Sequence, residues 1–194
     1  MSRIGPLEPG RVELAPRRSL TDLLWVANTR HGPGGHWFAR VTVDDGDHDH
    51  LEAAADAVRY LVDHHVDVPA AAPGPAELAA LGAIRAMVRG LLDPAAGWTA
   101  DARSILDRTD FRLDTERRLT ADGTGWAAFV GDLMPPLVEL VRLRERLTMC
   151  ANPVCRLVFL DGSKSGTRRW CDDAGCGNRD RVRRHRHRPA DGGS

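Results

Sequence analysis

Apolar residues along this chain return mostly at helical spacing. Leu78, Leu81, Ile84, Met87, Val88 and Leu91 fall on one stripe of a 3.6-residue period. They predict a helix that opens near Pro75, where a missing N–H costs nothing, and ends at Asp93-Pro94. Leu51, Ala54, Ala55, Val58, Leu61 and Val62 predict a second helix over 50–65. A short buried helix is expected over 19–31, with Ser19 or Thr21 as its cap, and another over about 99–108. The run from Trp126 to Leu147 reads as helix that Pro135-Pro136 must kink or split.

Strand signals are few. Residues 36–45 (HWFARVTVDD) carry β-branched and aromatic content, and Phe111 to Leu119 alternates weakly enough for a short hairpin. Residues 1–18, rich in Pro, Gly and Arg, are expected to lack regular structure; 31–35 is a loop and Pro69 to Pro75 a linker. The predicted fold class is mainly α with minor β (α+β): a mostly helical domain over 1–147, a small finger over 148–188 and a disordered tail over 189–194. Hydrophobic residues make up 42%, enough for a core. No stretch approaches a membrane span and no apolar run marks a secretory signal before Pro16, so a cytoplasmic protein without membrane association is expected. Arginine far above lysine, with much Ala and Gly, points to a GC-rich bacterial genome.

The formal net charge of zero conceals a division. From Cys150 to Ser194 there are ten Lys and Arg against five Asp and Glu, and the preceding residues hold 17 against 22. A basic terminal segment on an acidic body suits an anionic partner, often nucleic acid, or is a solvated tail. All four cysteines lie in that basic segment. They form two pairs, Cys150/Cys155 and Cys171/Cys176, each with four intervening residues, and fifteen residues separate the pairs. Clustered cysteines in a reducing compartment favour metal over disulfides. Four thiolates fill a tetrahedral zinc and leave no position for water, so one structural Zn2+ is expected; an iron–sulfur cluster uses the same ligands. Asn152-Pro153 and Gly175 supply turn chemistry within the pairs.

Between the pairs, Arg156–Leu160 and Thr167–Trp170 predict two strands of a hairpin around the turn Asp161–Gly166, with Val158, Phe159 or Trp170 covering the metal. Asn178 to His187 reads as a helix whose start carries the last ligand. Knuckle, hairpin and helix together make a treble-clef-like finger. Trp170 is expected in the finger's core rather than as a base-stacking platform.

Cys176-Gly177-Asn178-Arg179, preceded by Trp170-Cys171, Arg168-Arg169 and Phe159-Leu160-Asp161, resembles the CGNR zinc finger, over about residues 147–188. Asp22 to Arg30 (DLLWVANTR) resembles the Asn-Thr motif opening the ABATE domain that such fingers commonly follow. The resemblance implies a bacterial stress-response transcription regulator whose finger binds DNA and whose N-terminal domain senses a small-molecule effector, with Asn28, Thr29 and Arg30 as candidate ligand-binding residues.

The nucleic-acid-binding residues would be Lys164, Arg168 and Arg169 by the hairpin, with Asn178, Arg179, Arg181, Arg183, Arg184, Arg186 and Arg188 along the helix. Arginine grips phosphates and guanine edges in bidentate fashion. Arg179, Arg183 and Arg186 share one helical face, and Arg181, Arg184 and Arg188 another. Asn178 either caps the helix or contacts a phosphate or base, and Arg179 is placed over Trp170. One finger reads few base pairs, so a homodimer is expected. An RNA-binding role, a protein-docking module and an enzyme are the other readings. The chain shows no phosphate loop, nucleophile elbow or two-histidine metalloprotease motif, and no catalytic residue is expected. His48, His50, His64 and His65 are either ligands or surface polar residues.

Overall fold

Helix α1 (Leu20–Ala27) opens on a reciprocal cap. The Asp22 N–H donates to Ser19 Oγ at 3.1 Å, and the Ser19 N–H donates to the Asp22 carboxylate at 2.9 Å. Leu23 and Val26 then point into the core with no exposure, and α1 packs against α3 (Pro75–Gly90) and α6 (Met134–Arg142). The computed structural model describes residues 18–31, 48–93, 100–116 and 118–186. The predicted strand over 36–45, residues 1–17, Arg188 and the tail lie outside them.

Between α1 and α3 in the chain lies α2 (Ala54–Asp63). Its inward face differs from the expected stripe. Ala57, Tyr60 and Leu61 are buried, whereas Ala55 is exposed and Val62 is half-exposed. The reason is Tyr60, which an apolar count omits: its hydroxyl donates to the Asn28 carbonyl at 3.0 Å, so the helix turns to bury the ring. Helix α3 begins with Pro75 in its first turn and buries Leu81, Ile84, Met87 and Val88. Helix α4 (Ala100–Asp107) follows.

The strands make three two-stranded antiparallel sheets among the described residues. Strands β1 (Arg30–His31) and β2 (His48–Asp49) pair briefly. The hairpin of β3 (Phe111–Leu113) and β4 (Leu119–Ala121) forms where weak alternation predicts one. It is tied to α5 (Gly125–Asp132) by the buried Asp132, whose carboxylate accepts from the Ala121 N–H and the Thr120 hydroxyl. Gly131 permits this approach, because a Cβ there would stand 2.6 Å from that of Ala121.

Pro135-Pro136 split the long apolar run. Helix α5 stops at Asp132, α6 starts at Met134, and the prolines occupy the first turn of α6, where their missing donors go unneeded. A 3-10 turn (Arg144–Arg146) leads into β5 (Leu147–Met149), so the expected domain boundary after 147 falls inside a strand. The partner of β5 is β6 (Val158–Leu160), in the register Leu147 to Leu160 and Met149 to Val158.

That pairing corrects the finger's predicted hairpin. The strand after the first cysteine pair pairs backward with β5, not forward with Thr167–Trp170, which has no strand conformation. Strand β6 then divides two clusters by simple alternation. Val158 and Leu160 join the main core with Leu23, Leu61, Leu81, Phe129 and Leu137. Leu157 and Phe159 pack with the cysteines and Trp170. Val158 therefore does not cover the metal site as expected. After a π turn (Asp173–Gly177), α7 (Asn178–Arg186) completes the described chain. Among the described residues, no helix is long and apolar enough to cross a membrane.

Candidate metal centre and its basic arm

Each cysteine pair is aimed by its own turn. The Cys155 N–H donates to the Asn152 carbonyl at 2.9 Å, closing a tight turn with Pro153 at its second position. Asn152 is buried: its side-chain oxygen accepts from the Val154 N–H, and its amide nitrogen lies 3.5 Å from Cys176 Sγ. Arg156 takes a φ of 54° to turn the chain back into β6, an uncommon conformation for a side chain of its size. The Cys150 N–H donates to the Leu157 carbonyl at 2.8 Å, joining the two ends of this knuckle.

The second pair spans the entry to the final helix. The Asp172 side chain accepts from the Gly175 N–H, and the Asp172 carbonyl accepts from the Gly177 N–H at 3.1 Å. A Cβ at Gly177 would meet Asp173 Oδ1 at 2.5 Å, so a side chain there would push the Asp173 carboxylate aside. The Ala151 N–H donates to the Arg169 carbonyl at 2.8 Å, lacing one knuckle to the other.

These turns bring all four sulfurs within 4.8 Å of one another. Cys155 and Cys171 stand 3.7 Å apart, and Cys171 and Cys176 3.8 Å. Four sulfurs about 2.3 Å from a central zinc would be about 3.8 Å from their neighbours. Disulfide sulfurs would be about 2.05 Å apart. The observed spacing is thus that of a tetrahedral cage. Four thiolates this close would repel one another. Hydrogen bonds from Cys155 and Cys171 hold Cys150 below its usual range, and the bonds they give to Cys150 hold Cys155 and Cys171 above theirs. A dication removes that conflict by letting all four be thiolates. The donors are all sulfur and largely buried, so the cage fits one structural Zn2+.

Residues 146–189 match the CGNR zinc finger family. The match covers the C-terminal segment alone. No curated protein matches the chain. Within the matched segment, Cys176, Gly177, Asn178 and Arg179 span the π turn and the first turn of α7. Cys176 is a ligand, Gly177 admits Asp173, and Asn178 and Arg179 are at the start of the helix, with Arg179 exposed. Asn178 has helical dihedrals at the first position of α7, so it does not cap as expected; Asp172 does that upstream.

The basic arm is less uniformly free than its sequence suggests. Asp180, only 9% exposed, pairs with Arg183 at 2.6 Å and Arg184 at 3.0 Å. Arg181 pairs with Asp173 at 3.2 Å. Arg168 donates to the Trp170 and Cys171 carbonyls and lies over Phe159. The cation over Trp170 is Arg169, 5.1 Å from the ring centre, rather than Arg179. The half-buried Trp170 packs on the cysteine cluster, as a core residue would. Lys164 and Arg186 are exposed.

Asn28, Thr29 and Arg30 occupy the junction between body and finger. The Asn28 amide donates to the Val158 carbonyl at 2.9 Å, and its oxygen accepts from the Val158 N–H at 2.8 Å. Thr29 is fully buried, its hydroxyl donating to the Val26 carbonyl and accepting from Arg85. Arg30 is exposed on β1. Arg85 also grips Asp49: burial opposes the Asp49 charge, but hydrogen bonds from Arg85 and the Leu51 N–H hold its carboxyl below the usual range. Arg89 reaches the Ala27, Arg30 and Arg156 carbonyls, adding a second tie from α3 to the finger. An open cleft of about 430 Å3 lies elsewhere, between α3, α4 and α5, lined by Ala76, Ala80, Ala83, Ile105, Arg108 and Val130.

The Asn28 pair is legible in the sequence only as a motif; its partner lies 130 residues away and no local pattern reveals it. Replacing Asn28 by Ala leaves the buried Val158 N–H and carbonyl unpaired. Urea denaturation of Asn28→Ala is expected to show about 2 kcal/mol less stability. Wild-type stability in that variant would mean that the junction contributes nothing net.

The histidines of 48–65 do not converge as ligands. His48, His50, Tyr60 and His64 form a chain of edge-on and tilted ring contacts with centroids 4.2–4.4 Å apart, ending on Trp25. Burial pushes the His64 imidazole below its usual range. Among the described residues, the four cysteines are the group able to hold a metal.

Proposed function

We propose that this protein is a DNA-binding transcription regulator, in which a four-cysteine zinc site holds an arginine-rich helix against the duplex. The observation that carries the reading is the placement of α7. It leaves the cage directly from the fourth ligand, and its residues from 181 to 186 are exposed. A helix fixed at one end by a rigid cage keeps its orientation, so its guanidinium groups need less ordering when they meet phosphate. The resemblance to ABATE-linked fingers supports a stress-response role, an N-terminal domain that senses a small-molecule effector, and action at the bacterial nucleoid. A homodimer would supply the second half-site that one finger lacks. No enzymatic step is part of this reading.

A protein-docking role has one specific observation in its favour: Asp173 and Asp180 already pair with three arginines of the arm. That charge is then less available to phosphate. Titration of labelled duplex, single-stranded DNA and RNA across salt concentrations separates the readings. Duplex affinity that falls linearly on a log–log plot against salt supports DNA binding. A slope near zero for every nucleic acid leaves the docking role.

A further inference from the structure

We propose that the loop Asp161–Thr167, with Arg144 and Arg146 beside it, is a second phosphate-binding element, at the end of the β5–β6 hairpin remote from the metal. The inference rests on the DNA-binding reading above and names a contact surface outside α7.

The hairpin register sets the location. Leu147 faces Leu160, so Arg146 and Asp161 form the next rung, where the Asp161 N–H donates to the Arg146 carbonyl at 2.7 Å. The cysteine knuckle closes the opposite end, where Cys150 meets Leu157. The loop itself is built rather than loose. The buried Asp161 carboxylate accepts from the Ser163 N–H at 2.8 Å and the Arg168 N–H at 2.7 Å, drawing both ends of the loop together. Its negative charge thus faces inward. Gly166 turns with a φ of +65°, and a Cβ there would lie 2.9 Å from the Arg146 guanidinium. Arg146 lies across that gap and donates to the Ser163 carbonyl at 2.8 Å.

What the loop shows to solvent is cationic and rich in hydroxyls. Lys164 is exposed between Ser163 and Ser165, and the Ser165 and Thr167 hydroxyls sit 2.8 Å apart on the surface. Arg144 is exposed in the same 3-10 turn as Arg146. The acidic neighbours are Asp161, which faces inward, and Glu145, exposed between the two arginines. Among the described residues, Arg144, Arg146 and Lys164 form no ion pair, in contrast to Arg181, Arg183 and Arg184. Arg146 is held by the Ser163 carbonyl, but Arg144 and Lys164 surrender no protein partner when they meet a phosphate, and hydroxyls and ammonium groups are ordinary phosphate contacts. The charge most available to a nucleic acid backbone therefore includes this loop.

The test uses the full-length, zinc-loaded chain and a labelled duplex. Lys164→Gln with Arg144→Gln removes two charges and none of the loop's hydrogen bonds. Its salt slope is expected to fall by about 2 from that of the wild type, with zinc content unchanged. Arg59→Gln with Arg112→Gln removes two exposed charges on α2 and β3, and is expected to leave the slope as it was. An unchanged slope in the loop variant overturns this inference while leaving the DNA reading in place. An equal fall in both variants also overturns it, because the loss then reflects overall charge. A wild-type slope near zero overturns the DNA reading itself.

Discussion

Cys155→Ala is expected to release the metal and unfold the C-terminal finger. Its cluster holds four cysteines, Leu157, Phe159 and Trp170, far too little apolar surface to order some 40 residues alone. In small fingers, the metal supplies folding free energy on the order of 10 kcal/mol or more. Removing one of four thiolates opens the cage and leaves three sulfurs without the charge that reconciles them. The damage should also spread inward, because β6 supplies Val158 and Leu160 to the main core. Metal analysis of the wild type should find about one zinc per chain, and the variant close to none. Thermal unfolding of the variant should begin lower and show weaker cooperativity, and excess chelator should reproduce that on the wild type. Full metal retention in Cys155→Ala would remove the cage from the account.

The second large effect is expected on duplex binding when Arg179, Arg183 and Arg186 are all replaced by Ala. These three share one face of α7, and each phosphate no longer neutralised should lower the salt slope by about 0.9. Replacing all three should then lower it by roughly 2.7 and weaken binding by about a hundredfold, or about 2.7 kcal/mol, at moderate salt. Arg183 is expected to supply the smallest share of that figure, because it exchanges its bond to Asp180 for one to phosphate. Fluorescence anisotropy over a salt series measures both quantities. Undiminished duplex binding in the triple variant would show that this face of α7 does not touch the backbone.

Local signals in this chain are legible where one residue type dictates one outcome. Pro75 opens α3, and Pro135-Pro136 open α6, because a residue without an N–H fits the first turn and little else. Ser19 caps α1 through Asp22, three residues on. The four sulfurs converge as their spacing implies. The pattern misleads where a partner distant in sequence decides. Val158 to Leu160 are equally good strand material for either neighbour, and their choice of β5 depends on Leu147, Asn28 and the helical core. The arginines of α7 look uniformly cationic because an aspartate such as Asp180 reads as one more polar helix residue. In the fold it is nearly buried and holds two of them. Asn28 and Thr29 stand out as a motif, and the fold places them where the body is tied to the finger.

The alternation along β6 also bears on how this finger can be moved. A peptide beginning at residue 148 would lack the Leu147–Leu160 rung and present Val158 and Leu160 to water. Grafting the metal knot onto another scaffold would therefore mean carrying β5 whole and supplying an apolar seat for one side of β6. Evolution faces the same constraint: a host for this module must offer a greasy ledge, and an amide like that of Asn28 to greet its backbone.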